Sequence, residues 1–278
     1  ERLRQRLPED QRDAAVAFAR QYYANVATED MADRGVDDLY GAVLSHWHFA
    51  RSFVGGQAKL RVYNPKLEEH GWQSTHTVIE MVNDDMPFLV DSLGIVFNQL
   101  GIAVHLIVHP VLDARRGKTG RLLEIGAQSP DAKVESWQLI EIDRPRDEAA
   151  AKELTAKIRS TLADVHAAVK DFEQLREQTL RVARELDAAS LPVPRAEVAE
   201  ARALLTWMEE RHFVFLGYRY YQLRRGAKTD TLIRDRTSGL GILRPARARG
   251  RGAAAKVLSG TLRDHARAKT LLVLTKAN

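Results

Sequence analysis

The sequence predicts an α+β fold: N-terminal helices, a ferredoxin-like βαββαβ domain, a long helical segment, and a second, partial α/β domain. Three observations carry that prediction. Residues 72–144 alternate between runs with strand and helix periodicity, residues 147–190 contain neither glycine nor proline, and Leu191-Pro192-Val193-Pro194 then separates that run from a further set of short apolar runs. With 278 residues the chain is long enough for about two domains.

Residues 1–70 read as a helical segment. Gln11 to Ala27 is alanine-rich, and Val36 to Phe53 carries Leu39, Val43, Trp47 and Ala50 along one helical face. Gly55-Gly56 is expected to end that second helix, and Asn64-Pro65 to turn the chain before the first sheet.

The next segment, residues 71–165, carries the βαββαβ pattern. Gln73 to Met81 reads as its first strand. The junction that follows is Asn83-Asp84-Asp85-Met86-Pro87-Phe88-Leu89-Val90-Asp91-Ser92. Pro87 lacks an N–H and has a φ suited to a helix start, and the preceding aspartates favour the positive end of the helix dipole. Leu89, Leu93, Val96, Phe97 and Leu100 then form one apolar stripe that ends at Gly101. Such a stripe needs a sheet to cover. Ile102 to Val111, Leu122 to Gly126 and Ser136 to Asp143 supply further strands, and the helical run from Asp147 completes the pattern.

As one helix, residues 147–190 would reach about 65 Å, beyond the sheet they start from. The run is therefore either a long arm or a bent pair of helices, and residues 166–195 are assigned as helical arm and linker. In residues 196–278, Ala196 to Arg211 reads as a helix leading into a strand from Phe213 to Leu223. Shorter strands follow at Leu232-Ile233, Leu240 to Leu243 and Thr270 to Thr275. The chain stops just after the last of these, so this α/β unit is expected to be incomplete, and the start at Glu1 suggests a trimmed N-terminus.

Composition narrows the chemistry. The absence of cysteine excludes a disulfide framework, a thiol nucleophile and a cysteine metal site. No apolar run approaches the roughly 18 residues of a membrane span, and Glu1 to Arg12 is too charged for a secretory signal; the expected location is cytoplasmic. The net charge of +5 raises the question of nucleic acid. Basic residues cluster at Arg115-Arg116-Gly117-Lys118, at Arg224-Arg225-Gly226-Ala227-Lys228, and from Arg244 through Arg247, Arg249 and Arg251 to Lys256. These glycine-containing runs read as turns with solvated charge, and no aromatics interleave with them as a stacking platform requires.

Nucleotide motifs fail on spacing. Gly117-Lys118-Thr119 lacks the earlier glycine of a phosphate loop, because Leu112 stands there. Gly239-Leu240-Gly241 has Arg244 at the third glycine position of a dinucleotide fingerprint, with Pro245 after it, so a hairpin turn is expected and no cofactor within this chain. His105 and His109 lie on one strand face about 13 Å apart, too far to share a metal. His46 and His48 point to different sides of a helix. Both pairs read as structural, no metal ligands are assigned, and no Gly-x-Ser-x-Gly motif supports a hydrolase.

One ligand site is plausible, formed by Asp84, Asp85, Pro87, Phe88 and Ser92. Backbone N–H groups at a helix start can receive a carboxylate. The alternative is that the aspartates cap the helix and Pro87 only starts it.

Asp85-Met86-Pro87-Phe88-Leu89-Val90 resembles the Asp-x-Pro-Gly-Leu-Leu-like turn of ACT-type regulatory domains, with Phe88 where glycine normally lets a ligand approach the backbone. The wider string through Ser92, with Ile107-Val108-His109-Pro110-Val111 and Glu141-Ile142-Asp143-Arg144, is similar to the N-terminal region of the large bacterial NAD-specific glutamate dehydrogenases. The similarity continues through His212-Phe213-Val214-Phe215-Leu216-Gly217-Tyr218, Leu240-Gly241-Ile242-Leu243 and the terminal Leu271-Leu272-Val273-Leu274-Thr275-Lys276-Ala277-Asn278. The resemblance implies an ACT-like unit, a PAS-like segment after it, and an amino-acid effector held at the junction, often at a dimer interface. It implies a homo-oligomeric parent oxidoreductase that converts L-glutamate, NAD and water to 2-oxoglutarate, ammonia and NADH. Catalytic residues and the NAD site would lie beyond Asn278, and the partner of this piece would be the catalytic part of its own chain. The expected role is then non-catalytic regulation and assembly; the alternative is a stand-alone basic α/β module that binds RNA.

Overall fold

A computed structural model describes residues 9–32, 34–126, 129–188, 190–244, 255–269 and 271. It divides into two units, residues 1–166 and 167–278, each described by itself.

The first unit opens with helices α1 (Glu9–Tyr22), α2 (Thr28–Ala32) and α3 (Val36–Ala50). Strand β1 (Lys59–Tyr63) and the short helix α4 (Leu67–His70) lead to β2 (Thr77–Asp84) and α5 (Leu89–Gln99). Then come β3 (Val104–Val108), β4 (Val111–Arg116), β5 (Leu122–Ile125), β6 (Lys133–Ile142) and helix α6 (Glu148–Lys170). The sheet runs β1-β2-β6-β4-β5, and β3 also pairs with β6. Every pairing is antiparallel.

Two features depart from the expected pattern. Ile102 to Val111 is two strands, since Pro110 has no N–H to give to a ladder. β3 pairs with Leu139 to Ile142 and β4 with Lys133 to Ser136, so the two pieces lie end to end along β6. The last strand of βαββαβ does not follow α6, which gives way to another helix. Its place beside the first strand of the pattern is taken by β1, from the segment read as helical. Arg61 and Tyr63 alternate with apolar residues there, and five residues flanked by polar turns gave too short a period to separate from loop. The first strand also starts later than expected, at Thr77. The second N-terminal helix ends at Ala50, before Gly55-Gly56.

Both faces of the sheet are covered. Val78, Val82, Trp137, Leu139, Leu106, Val108 and Leu112 share one core with Phe18 and Tyr22 of α1 and Val43 and Ala50 of α3. Phe18 meets Trp137 edge-on with ring centroids 5.5 Å apart. The alternate residues Ile79, Met81, Ile140 and Ile142 face the other way by strand periodicity and are also fully buried. The apolar faces of the two crossover helices cover that side, with Leu89, Leu93, Val96 and Phe97 from α5 and Leu154, Ile158 and Leu162 from α6 all buried. Leu100, expected in the same stripe, is 43% exposed, because the helix ends at Gln99.

The arginines of the 115–118 run are not solvated as a group. Arg115 stays at the surface with Glu124, but the guanidinium of Arg116 donates to both oxygens of buried Glu135, at 2.5 and 2.8 Å. It also donates to the carbonyls of Ala50 and Gly120, tying α3 to the β4–β5 turn. Four acceptors converging on one side chain outweigh its hydration.

The second unit contains α7 (Phe172–Ala188) and α8 (Arg195–Trp207), which pack together, so Leu191-Pro192-Val193-Pro194 is the turn between two helices of one unit. The glycine-free run is assigned as two helices, with Asp171 between them. Beyond α8, a kinked turn at Met208–His212 replaces the end of the expected helix. The strand expected from Phe213 reduces to β7 (Gly217–Tyr218) and β8 (Tyr221–Arg224). With them are β9 (Asp230–Arg234), β10 (Leu240–Gly241), β11 (Ala255–Leu258) and helix α9 (Gly260–Arg267), the last two not anticipated. They form a two-stranded sheet, β10-β7, and a three-stranded one, β11-β9-β8. The strand expected at Thr270 to Thr275 and the middle of the third basic run lie outside the described residues.

Two predictions follow from this packing. Phe97 is 2% exposed between α5 and the sheet, so Phe97→Ala is expected to cost about 3 to 5 kcal/mol in denaturant melts; a loss below about 1 kcal/mol would contradict the packing. The second concerns His46, which is fully buried. Its Nε2 lies 3.1 Å from the Met81 carbonyl, which can only accept, so Nε2 carries the proton and Nδ1 accepts from the Tyr22 hydroxyl at 2.7 Å. Burial holds the ring's pKa below its ordinary value. The unfolded imidazole takes up a proton at about 6.5 while the folded one resists, so stability is intact above that pH and falls as pH drops below it. Burial shifts His109 in the same direction. Melting temperatures read from pH 8 to 5 are expected to fall below pH 6.5, and less steeply in His46→Gln; equal slopes would contradict the assignment.

Candidate functional site

The junction singled out in the sequence lies between β2 and α5. The chain leaves β2 with the Asp85 N–H donating to the Val134 carbonyl at 3.0 Å. It turns at Pro87 and Phe88, and α5 begins at Leu89 without any side-chain cap. Asp84 is not a cap: its Oδ2 accepts from the Gly56 N–H at 2.6 Å, and a Cβ on Gly55 would stand 2.6 Å from its Oδ1. The aspartate thus fastens the loop after α3 to the end of β2. Asp85 is exposed and raises the proton affinity of His109, against the larger opposite effect of burial. His109 itself bonds to Ser136 at 2.7 Å.

Phe88 takes φ 71°, ψ 7°, the left-handed conformation that favours glycine. The side chain differs from the usual ACT turn, yet the backbone keeps the conformation a glycine would adopt. Its ring is 43% exposed. The N–H of Ser92 is spent on the Phe88 carbonyl at 3.1 Å. Of the five residues, Asp84 is engaged with the Gly55–Gly56 loop, while Asp85, Pro87 and Phe88 remain open to solvent.

A second site, not anticipated, is a cleft of about 850 Å³ at the opposite end of β6, walled by the α2–α3 turn, residues 65–76 and the first residues of β3. Glu141 lies in it, 2% exposed, with Oε1 accepting from Arg34 Nη1 at 2.7 Å. His76 stands 3.4 Å from Glu141 Oε2, and its ring stacks on His105 with centroids 3.9 Å apart. His105 Nε2 bonds to Asp143 at 2.7 Å, and that bond is the main cause that lowers the Asp143 pKa. His105 and His109 are thus held by different partners, one at each end of the sheet. The signal available in the sequence was Glu141, a carboxylate inside an otherwise covered strand; Arg34 and His76 are too distant along the chain to be joined to it by any local pattern.

The two glycine motifs serve turns. The Gly120 N–H donates to the Gly117 carbonyl between β4 and β5, and the Gly241 N–H donates to Asp171 at 2.7 Å. Among the described residues no group of three or more histidine, aspartate or glutamate side chains could hold a metal ion, and no helix is long and apolar enough to cross a membrane.

Comparison with known proteins adds a family. The profile described as "Glutamate dehydrogenase, ACT1 domain" matches residues 18–158. An NAD-specific glutamate dehydrogenase of Halomonas elongata is 41% identical over 249 residues, covering 88% of this chain and 15% of that protein. The Pseudomonas aeruginosa enzyme of the same name is 36% identical over 249 residues, with the same 88% and 15% coverage. That of Mycobacterium tuberculosis is 26% identical over 207 residues, 72% of this chain and 12% of the relative. The chain therefore spans about 15% of the length of the first two relatives.

The backbone at Phe88 generates a prediction. A non-glycine residue in the left-handed region costs roughly 1 to 2 kcal/mol, and glycine relieves that while adding freedom to the unfolded chain. Phe88→Gly is expected to change stability by less than about 1 kcal/mol, whereas β-branched Phe88→Val lowers it by more than about 1 kcal/mol. Chemical denaturation compares the three proteins, and a Gly variant less stable than the Val variant would refute the strain.

Proposed function

This chain belongs to the family of NAD-specific glutamate dehydrogenases, from whose N-terminal region it comes, and on that premise we propose that it is a non-catalytic regulatory and assembly segment of such an enzyme. The observation that carries the proposal is the coincidence of the ACT1 match, residues 18–158, with the first structural unit, in a chain spanning about 15% of its relatives. The whole enzyme would oxidise L-glutamate with NAD and water to 2-oxoglutarate, ammonia and NADH, with its NAD site and reacting groups elsewhere in the parent chain. In this reading the enzyme is a cytoplasmic homo-oligomer, and the second unit is a PAS-like module. An amino-acid effector at the β2–α5 junction would draw on Asp85, Pro87, Phe88 and the Ser92 hydroxyl, since Asp84 Oδ2 accepts from the Gly56 N–H and the Ser92 N–H donates to the Phe88 carbonyl.

The RNA-binding alternative needs cationic side chains free to meet phosphates. Arg116 is instead committed to Glu135, Arg244 to Asp171, and Arg267 to Asp230. That favours the regulatory reading.

The decisive measurement is NAD reduction with L-glutamate, by the purified chain and by the whole enzyme with and without residues 18–158. The isolated chain is expected to remain at background. The shortened enzyme is expected to keep its affinity for NAD but to change its subunit association or its response to effectors. Turnover that co-purifies with the isolated chain, or an unaltered shortened enzyme, would refute the proposal.

A further inference from the structure

Two residues that line the cleft each carry a buried polar atom with no hydrogen bond: the acceptor Oε2 of Glu141 and the donor Nε1 of Trp72. Each belongs to a residue only 2% exposed. Buried polar groups are nearly always paired, and an unpaired one calls for an explanation. Here the two are of opposite kind, and their residues line one space of about 850 Å³, within the range of small-molecule sites. Arg34 holds the other oxygen of Glu141, so Oε2 is the one left without a donor. His76 Nδ1 stands 3.4 Å from Oε2 without a hydrogen bond between them, and its ring stacks on His105. The rim carries both signs of charge, with Glu29, Asp30, Asp38 and Glu68 against Lys66 and Arg144.

We propose that this cleft is a binding site for a small zwitterion, whose ammonium N–H groups bond to Glu141 Oε2 once the His76 ring swings aside and whose carboxylate accepts from Trp72 Nε1. A primary ammonium offers the charged donor that a half-paired carboxylate lacks, and a carboxylate offers the acceptor that the indole lacks. The site is separate from the β2–α5 junction, and it stands whether or not the chain regulates glutamate oxidation.

Calorimetric titration of the intact chain tests this with glycine, β-alanine and 4-aminobutyrate, whose charges are spaced progressively further apart, and with glycine betaine, which keeps both charges but has no N–H. At least one of the three amines is expected to bind saturably, and betaine at least about tenfold more weakly. Glu141→Gln and Trp72→Phe are each expected to weaken the amine at least about tenfold. Trp72→Phe removes the indole donor while keeping an aromatic side chain, and undiminished binding there counts against the assignment even if Glu141→Gln, which strips Arg34 of its partner, does not fold. No binding by any of the amines, equal binding of betaine, or undiminished binding in both Glu141→Gln and Trp72→Phe would overturn the assignment.

Discussion

Buried carboxylates, each held by an arginine from another segment, fix how this chain is assembled. In the first unit, Glu80, Glu135 and Glu141 all lie on the sheet face that the N-terminal helices cover. Arg61 of β1 serves Glu80, Arg116 of β4 serves Glu135, and Arg34 of the α2–α3 turn serves Glu141. Removing one partner from such a pair costs roughly 3 to 5 kcal/mol, because the other charge stays buried. An apolar replacement of both could be as stable, so the value of the pairs lies in specificity: Arg61 and Arg116 fix β1 and β4 beside their neighbouring strands, and Arg34 fixes the α2–α3 turn over β6. Tyr63 reinforces the first pair through its hydroxyl, 2.8 Å from Glu80. Burial together with that nearby carboxylate raises its pKa well above the ordinary tyrosine value.

The second unit repeats the device with aspartate. Asp171, fully buried at the break between α6 and α7, receives Arg244 and the Gly241 N–H. Asp230 receives Arg267 and the Gly226 N–H. Arg263 adds to its field, and these contacts hold its pKa far below the usual carboxylate range, the Arg267 hydrogen bonds contributing most. The Asp171 carboxylate thus ties the start of α7 to β10 and to the arginine that follows it.

Local physics was legible and long-range pairing was not. The stripe of Leu89, Leu93, Val96 and Phe97 gave α5 because a 3.6-residue period is a property of contiguous sequence. The strands at Leu122 and Ser136 were legible for the same reason. The period could not show that β1 adds itself beside β2, since register between strands is set by partners distant along the chain. Nor could composition distinguish Arg116 from Arg115: they are neighbours of one type, and only the strand pleat sends one to Glu135 and the other to the surface. The junction was found by its residue types, but the job of Asp84 was misread, because its true partner, the Gly56 N–H, is a backbone group that no side-chain pattern announces. The cleft was invisible for a similar reason, as Arg34, Trp72, His76, His105 and Glu141 meet only when four separate segments close.

The double cover of the sheet also explains where the family match begins. A two-layer ferredoxin-like unit leaves one sheet face to solvent, and its strands then alternate apolar and polar residues. In β2 and β6 the alternation fails, because Val78, Ile79, Met81 and Val82 are all buried, as are Trp137, Leu139, Ile140 and Ile142. Strands of that composition cannot face water on either side, so the N-terminal helices belong to the same folding unit as the sheet. The match starts at residue 18, and Phe18 is one of the residues of α1 packed into the shared core. The Glu141 cleft lies along that added layer: Arg34 comes from the helical segment, Glu141 from the sheet, and neither layer alone would enclose it.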